Sequence, residues 1–163
     1  MVYRSGCLCC GKPLKYLDPA EMRECEYCHH MHSARTVCED GHFVCDACHR
    51  LGANDAIEQY CTATQEKDPV AMVIALMQNP QVNMHGPEHH FLVPAVLLAA
   101  YYNTTGEPHR KTKAIATARE RAETVRGGSC GFLGDCGAAV GTGIFISIVT
   151  GATPLSRLEW QQA

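Results

Sequence analysis

A mostly α-helical domain preceded by a cysteine-rich zinc-knuckle module is the fold class that the sequence predicts, and three observations predict it. Of 11 cysteines, nine fall between Cys7 and Cys61, eight of them no later than Cys48. The first stretch, to about residue 50, is polar, rich in Cys and His, and has no sustained apolar period. From about residue 53 onward, apolar residues recur at helical spacing between Pro, Gly and Asn stops. The expected division is therefore a knuckle module over residues 1–52 and a helical domain over residues 53–163.

Taken in order, the module offers only short knuckle hairpins, and its core must come from metal rather than from apolar side chains. Asn54 or Asp55 can cap a short helix running to about Ala63. Asp68-Pro69 is a capping carboxylate followed by proline at the first helical position. Val70, Val73, Ile74 and Met77 then mark one helical face, and Asn79-Pro80 stops the helix. Pro87 or Glu88 opens the next helix, apolar nearly all round, with Pro94 in its early turns and Asn103 to Gly106 at its end. Lys111 to about Val125 reads as a charged helix with Ala114, Ala118 and Ala122 on one face. A glycine-rich loop from Gly127 to Gly134 leads into a small-residue helix from Cys136 to about Thr150. Thr153-Pro154 opens a last helix, which reaches Ala163 with no stop signal, as in a chain cut short at that end.

Composition narrows the function. With 163 residues, 46% hydrophobic and a net charge of -3, the chain can bury a core and is not a disordered polyelectrolyte. It lacks the basic surplus that neutralises phosphates, so nucleic acid is not an expected partner. Arg110, Lys111, Lys113, Arg119, Arg121 and Arg126 could line a basic helix, but Glu120 and Glu123 interleave them, as on an ordinary solvated face. No apolar run follows a basic start, and the longest apolar stretches fall short of the ~20 residues that a membrane span needs. A cytoplasmic, reducing location is expected, where clustered cysteines serve as ligands or reactive thiols rather than disulfides.

Cys7-x2-Cys10, Cys25-x2-Cys28 and Cys45-x2-Cys48 are three paired knuckles, and Cys38 and His42 add two donors. Each pair presents two thiolates from one tight turn, and eight donors complete two tetrahedral zinc sites. The run from Cys25 to Cys48 resembles part of a RING-type cross-brace. That likeness implies one zinc on Cys25, Cys28, Cys45 and Cys48 and another on Cys7, Cys10, Cys38 and His42. The likeness departs in one respect, because the spare pair precedes the run instead of following it. A sequential ribbon starting with Cys7, Cys10, Cys25 and Cys28 stays open, with His49 as an alternative donor downstream. An iron–sulfur cluster is the second choice, since knuckles with a histidine suit zinc better. Cys9, His29, His30 and His32 adjoin these pairs as spare donors.

Two further blocks carry chemistry. Met84-His85-Gly86-Pro87-Glu88-His89-His90 concentrates donors at the start of an otherwise apolar helix. His85, Glu88 and His89 are candidate metal or acid–base groups, against the plainer reading of capping and hydrogen-bonded histidines. In the stretch from Gly127 to Gly143, Cys136 stands at a helix start, where a thiol is acidified, and Cys130 lies six residues before it. Both are candidate nucleophiles or soft ligands, against the reading of two inert thiols beside a close helix crossing. Cys61 reads as a core thiol.

The strings MHGPEHHFLVPAVLLAAYYN and GGSCGFLGDCGAAVGTGIFISI, behind a knuckle-rich start, resemble an uncharacterised domain family of anaerobic bacteria and archaea. Its members occur alone or beside methyltransferase-like or radical-enzyme-like regions. The likeness covers roughly residues 5 to 157 and implies that His85, Glu88, His89, Cys130 and Cys136 belong to the family pattern. It implies no reaction. The sequence thus points to a zinc-binding protein that is either a metal- or thiol-dependent enzyme or a non-catalytic interaction module. Its small-molecule or protein partner is unspecified, and a homo-oligomer is compatible with it.

Overall fold

The computed structural model describes residues 6–26, 30–79, 81–156 and 158. Among these described residues, two strands and six helices follow in chain order: β1 (Leu14–Glu24), β2 (Met31–Cys38), α1 (Asp46–Ala63), α2 (Pro69–Met77), α3 (His89–Thr105), α4 (Pro108–Glu123), α5 (Ser129–Phe132) and α6 (Gly137–Thr150).

The strands form one antiparallel hairpin, with Leu14 opposite Cys38 and Glu24 opposite Met31, and the register slips between Tyr16 and Glu21. This hairpin is longer than the short knuckle turns expected. Its outer residues are polar or exposed, and Ala34, Val37 and Cys38 are its buried positions. The apolar core begins only at Ala53 and runs through Ile57, Met72, Phe91, Leu98 and Ile115. Among the described residues, none of the hairpin belongs to it.

Helix α3 is the central element, packed by α1, α2, α4 and α6. Its apolar surface on nearly every side suits that place. Gly106 ends it in the left-handed conformation, φ 73°, which glycine adopts without strain. The expected face of α4 is buried as Ala114, Ala118 and Ala122, joined by Ile115 and Lys111. Lys111 is only 2% exposed. Its Nζ donates to the Thr64 carbonyl at 2.7 Å and to Asn103 Oδ1 at 2.9 Å. Arg119 reaches Asp55 at 2.7 Å, Glu58 at 2.5 Å and Glu123 at 3.1 Å. Two members of the presumed basic helix are thus engaged inside the fold.

Three expectations are corrected. Helix α1 starts at Asp46, not near Asn54. Asp68 caps α2 as expected, accepting from the Val70 N–H at 2.9 Å. The buried residues of α2 are nevertheless Met72 and Leu76, while Val70 and Ile74 are exposed. Every position from Val70 to Met77 is apolar, so spacing alone could not choose the face. Residues 153–156 form a turn, with the Ser156 N–H on the Thr153 carbonyl at 2.9 Å, where the last helix is expected to begin; most of the rest of that expected helix, residues 157 and 159–163, lies outside the described residues.

Helices α3 and α6 cross at Gly141. A β-carbon there would lie 2.8 Å from Pro94 Cδ and 2.9 Å from Val93 Cβ, inside van der Waals contact. Gly141→Val should therefore lower unfolding free energy by about 1–3 kcal/mol in urea titration. Ala138→Val, on the exposed side of the same helix, should lower it by less than about 1 kcal/mol.

Candidate metal centres and the helix-end seam

Two turns build the first donor cluster. In one, the Cys7 N–H donates to the Lys12 carbonyl at 2.8 Å and the Gly11 N–H to the Cys7 carbonyl at 2.7 Å. Gly6 enters this turn at φ 95°, and a β-carbon there would meet the Lys12 carbonyl oxygen at 2.6 Å. In the other, the Cys38 N–H donates to the His42 carbonyl at 2.8 Å and the Gly41 N–H to the Cys38 carbonyl at 2.8 Å. Each turn also aims a backbone N–H at its leading sulfur: Cys9 N–H at Cys7 Sγ, 3.4 Å, and Asp40 N–H at Cys38 Sγ, 3.4 Å. A salt bridge from Lys12 to Asp40 at 2.7 Å joins the turns. The result places donor atoms of Cys7, Cys10, Cys38 and His42 within 4.8 Å of one another.

The Cys10 and Cys38 sulfurs are 3.5 Å apart, and Cys7 Sγ lies 3.8 Å from His42 Nδ1. A disulfide would need about 2.05 Å. Two sulfurs bound to one tetrahedral zinc at ~2.3 Å stand about 3.8 Å apart. The donor set therefore fits a tetrahedral cation. Burial raises the Cys7 thiol, but the N–H groups of Cys10 and Cys9 outweigh it and bring the pKa down to about 7.

The second cluster joins the end of β1 to the start of α1. Cys25 is fully buried, and its sulfur accepts the Cys45 N–H at 3.3 Å. Cys45 is the N-cap of α1 and Cys48 lies in its first turn, so both thiols sit at the positive end of the helix. Donor atoms of Cys25, Cys45 and Cys48 lie within 4.8 Å of one another. Cys28, expected beside them, and His29 lie outside the described residues. The clusters interleave along the chain in the manner of the cross-brace. Cys7 and Cys10 meet Cys38 and His42, not Cys25.

The other candidates meet where helices begin. Glu88 is fully buried. Its Oε1 accepts the backbone N–H of Asn83 at 2.9 Å and the Asn83 amide at 3.0 Å. The Asn83 carbonyl lies 2.9 Å from His89 Nε2. His85 is exposed on the loop before them. Burial, and then the Arg50 guanidinium, hold the pKa of His90 below its ordinary value. The start of α6 lies against this block: a β-carbon on Gly137 would be 3.1 Å from His90 Cδ2 and 3.8 Å from His89 Cβ. Cys136, the N-cap of α6, is exposed, and the N–H groups of Ala139 and Ala138 lower its thiol pKa. The structure thus brings the start of α6, which Cys136 caps, against His89 and His90 through Gly137.

Cys130, also exposed, belongs to the short turn α5. That turn leans on the hairpin through Phe132, whose ring lies 6.0 Å from Tyr16 and 4.8 Å from the Arg35 guanidinium. Asp46 ties the same loop to α1 by accepting the Gly127 N–H at 2.8 Å. Asn83 and His49 are site residues that spacing did not single out. Asn83 has no motif around it, and His49 reads only as a spare donor beside Cys48.

A family model described as a family of unknown function, DUF5714, matches residues 57–163. The match contains both long motifs and begins inside α1, after the two donor clusters. Comparison with curated proteins and with solved structures finds no significant match.

Asn83 is the hub that satisfies Glu88 and His89 together. Asn83→Ala should cost about 1–3 kcal/mol of stability, because a fully buried carboxylate loses its amide donor. Urea unfolding measures this, and an unchanged midpoint would contradict it.

Proposed function

The chain belongs to the DUF5714 family, whose function is unknown, and we propose that it is a zinc-binding protein whose two Cys/His centres hold the N-terminal lobe together and whose chemistry rests on the Cys136 thiol. The observation that carries the first half is the position of the core. It starts at Ala53, and the hairpin before it supplies no member. A two-stranded hairpin is marginal by itself in water. A divalent ion binding the converged thiols and imidazole supplies what the missing core does not.

In this reading Cys7, Cys10, Cys38 and His42 hold one zinc, and Cys25, Cys28, Cys45 and Cys48 hold the other. Four protein ligands leave no open coordination position, so both centres are structural. Zinc is favoured over an iron–sulfur cluster by the histidine and the paired turns. The thiolates require a reducing compartment, which makes the cytoplasm the natural location.

The second half rests on the α6 start. Cys136 is accessible, acidified by two backbone N–H groups, and followed by Gly137, which lies against His89 and His90. A thiolate so placed serves as nucleophile or soft ligand, and the imidazoles serve as proton carriers beside it. Cys130, in the same loop, is the resolving or second thiol. Sulfur transfer and thiol redox are the reaction classes that this arrangement suits. An interaction module is the second reading. It is favoured by Tyr16, Met22 and Met31 of the hairpin and by Leu133 after α5, which are 74%, 60%, 56% and 72% exposed and are apolar side chains that a docking partner would cover.

Elemental analysis of anaerobically purified protein should return about two zinc per chain, and chelation should unfold the lobe before the helices. A folded, metal-free chain, or iron with sulfide, would contradict the proposal. Cys45→Ser should lower thermal stability and zinc content well beyond Cys9→Ser, since only Cys45 stands in a cluster.

Alkylation with iodoacetamide separates the thiols. Cys136 should react fastest, with a rate that rises through a midpoint below that of a free cysteine as its proton leaves. Cys61, whose pKa burial pushes up to about 12, should stay silent in folded protein. Equal sluggishness of Cys136 and Cys61 would remove the thiol half of the proposal. A docking partner retained by Cys136→Ser but lost on Tyr16→Ser would favour the module.

A further inference from the structure

The two donor clusters differ in how they meet solvent. In the first, Cys7 and Cys38 are buried, His42 is half-buried and Cys10 is exposed. In the second, Cys25 and Cys45 are buried and Cys48 is half-buried, so no described donor is exposed. Beside the exposed ligand of the first cluster stands a further exposed thiol, Cys9, which neither cluster uses.

Cys9 is tied to the first cluster through its backbone and its side chain. Its N–H points at Cys7 Sγ from 3.4 Å, and the N–Cα bond adds only about 1.46 Å, so its α-carbon lies within about 5 Å of that sulfur. The Cys9 thiol also hydrogen-bonds the Cys7 sulfur and lies close enough to Cys38 to feel its charge. A spare donor one residue from a ligand acts at the effective concentration of an intramolecular group. Zinc imposes no ligand-field geometry, so a thiolate can enter before another leaves.

We propose that Cys9 and Cys10 are interchangeable ligands of the first centre, and that their exchange makes it the centre through which zinc passes to and from a thiol or imidazole acceptor outside the chain. This rests on the two-centre reading and goes beyond it. Four ligands keep the centre closed at rest. In the exchange the Cys9 sulfur binds the metal and the Cys10 sulfur leaves it. One metal–sulfur bond forms and one breaks, Cys9 releases its proton, Cys10 takes one up, and no electron moves. The outside acceptor enters on the same exposed side. The second centre has no spare thiol among the described residues and serves as the permanent staple.

Zinc counts and release kinetics test this. The native count is taken first, so that a failure of the two-centre reading, which would take this inference with it, is seen by itself. Cys10→Ser should keep about two zinc per chain, because Cys9 completes the four ligands. Cys9→Ser should also keep about two, and the double variant Cys9→Ser/Cys10→Ser about one. Cys38→Ser removes a buried ligand that has no stand-in and should lose the zinc of the first centre. With excess 4-(2-pyridylazo)resorcinol as acceptor, the native protein should release one equivalent in a fast phase, which Cys9→Ser slows several-fold. Should the double variant fail to fold, the Cys10→Ser count and the release kinetics decide. A Cys10→Ser protein holding a single zinc, or a fast phase unchanged by Cys9→Ser, overturns the proposal.

Discussion

The convergence of sulfur and imidazole donors in the first 48 residues is the constraint on which the rest of the molecule depends. Among the described residues the main apolar core is built from Ala53 onward, and the hairpin ahead of it buries only Ala34, Val37 and Cys38. Ahead of that point, two backbone turns and a helix start aim their N–H groups at sulfur. A thiolate is the acceptor that such an array prefers, and a cation is what balances several thiolates held together. The hairpin serves as the spacer that carries Cys38 back to the turn at Cys7.

The second organising feature is the meeting of helix ends. The starts of α3 and α6 meet through His90 and Gly137, and the start of α1 is tied through Asp46 to Gly127 in the loop ahead of them. Each start contributes unpaired N–H groups and a positive field. Thiols and carboxylates collect there for that reason: Cys45, Cys48, Asp46, Glu88 and Cys136. Close approach of α6 needs Gly137 and Gly141, whose missing β-carbons admit the His90 ring and Pro94. The small-residue character of α6 and the reactive-looking thiol at its head are therefore two results of one packing arrangement.

Much of this was legible in the sequence. Asp68-Pro69, the alanine face of α4, Gly106 and the α6 start each rest on a local rule, and local rules need no tertiary knowledge. The interleaving of donors is another matter. Spacing offered eight candidate donors, seven of which converge among the described residues, yet choosing between ribbon and cross-brace required knowing that β1 and β2 pair and bring Cys38 to Cys7. The start of α1 was hidden because its first turns are polar and Cys45 is not an ordinary capping residue. The face of α2 was misjudged because an all-apolar helix carries no directional signal. Glu88 stood out as a charge in an apolar helix, but its partners Asn83 and His49 come from elsewhere in the chain and carry no local mark.

Helix α1 has a consequence of its own. Its 18 residues make a rod of about 27 Å, with Cys45 and Cys48 at one end and the core residues Ile57 and Cys61 farther along. The same first turns carry Asp46, which grips the loop bearing Cys130, and His49, which faces Glu88. Whatever stiffens that end stiffens the loop and the imidazole with it. Thermodynamic linkage runs both ways: an ion that tightens the helix tip raises the order of the thiol loop, and a ligand that clamps the loop tightens the hold on the ion. A cation held at the thiols and the state of the loop would then be coupled through the first turns of α1.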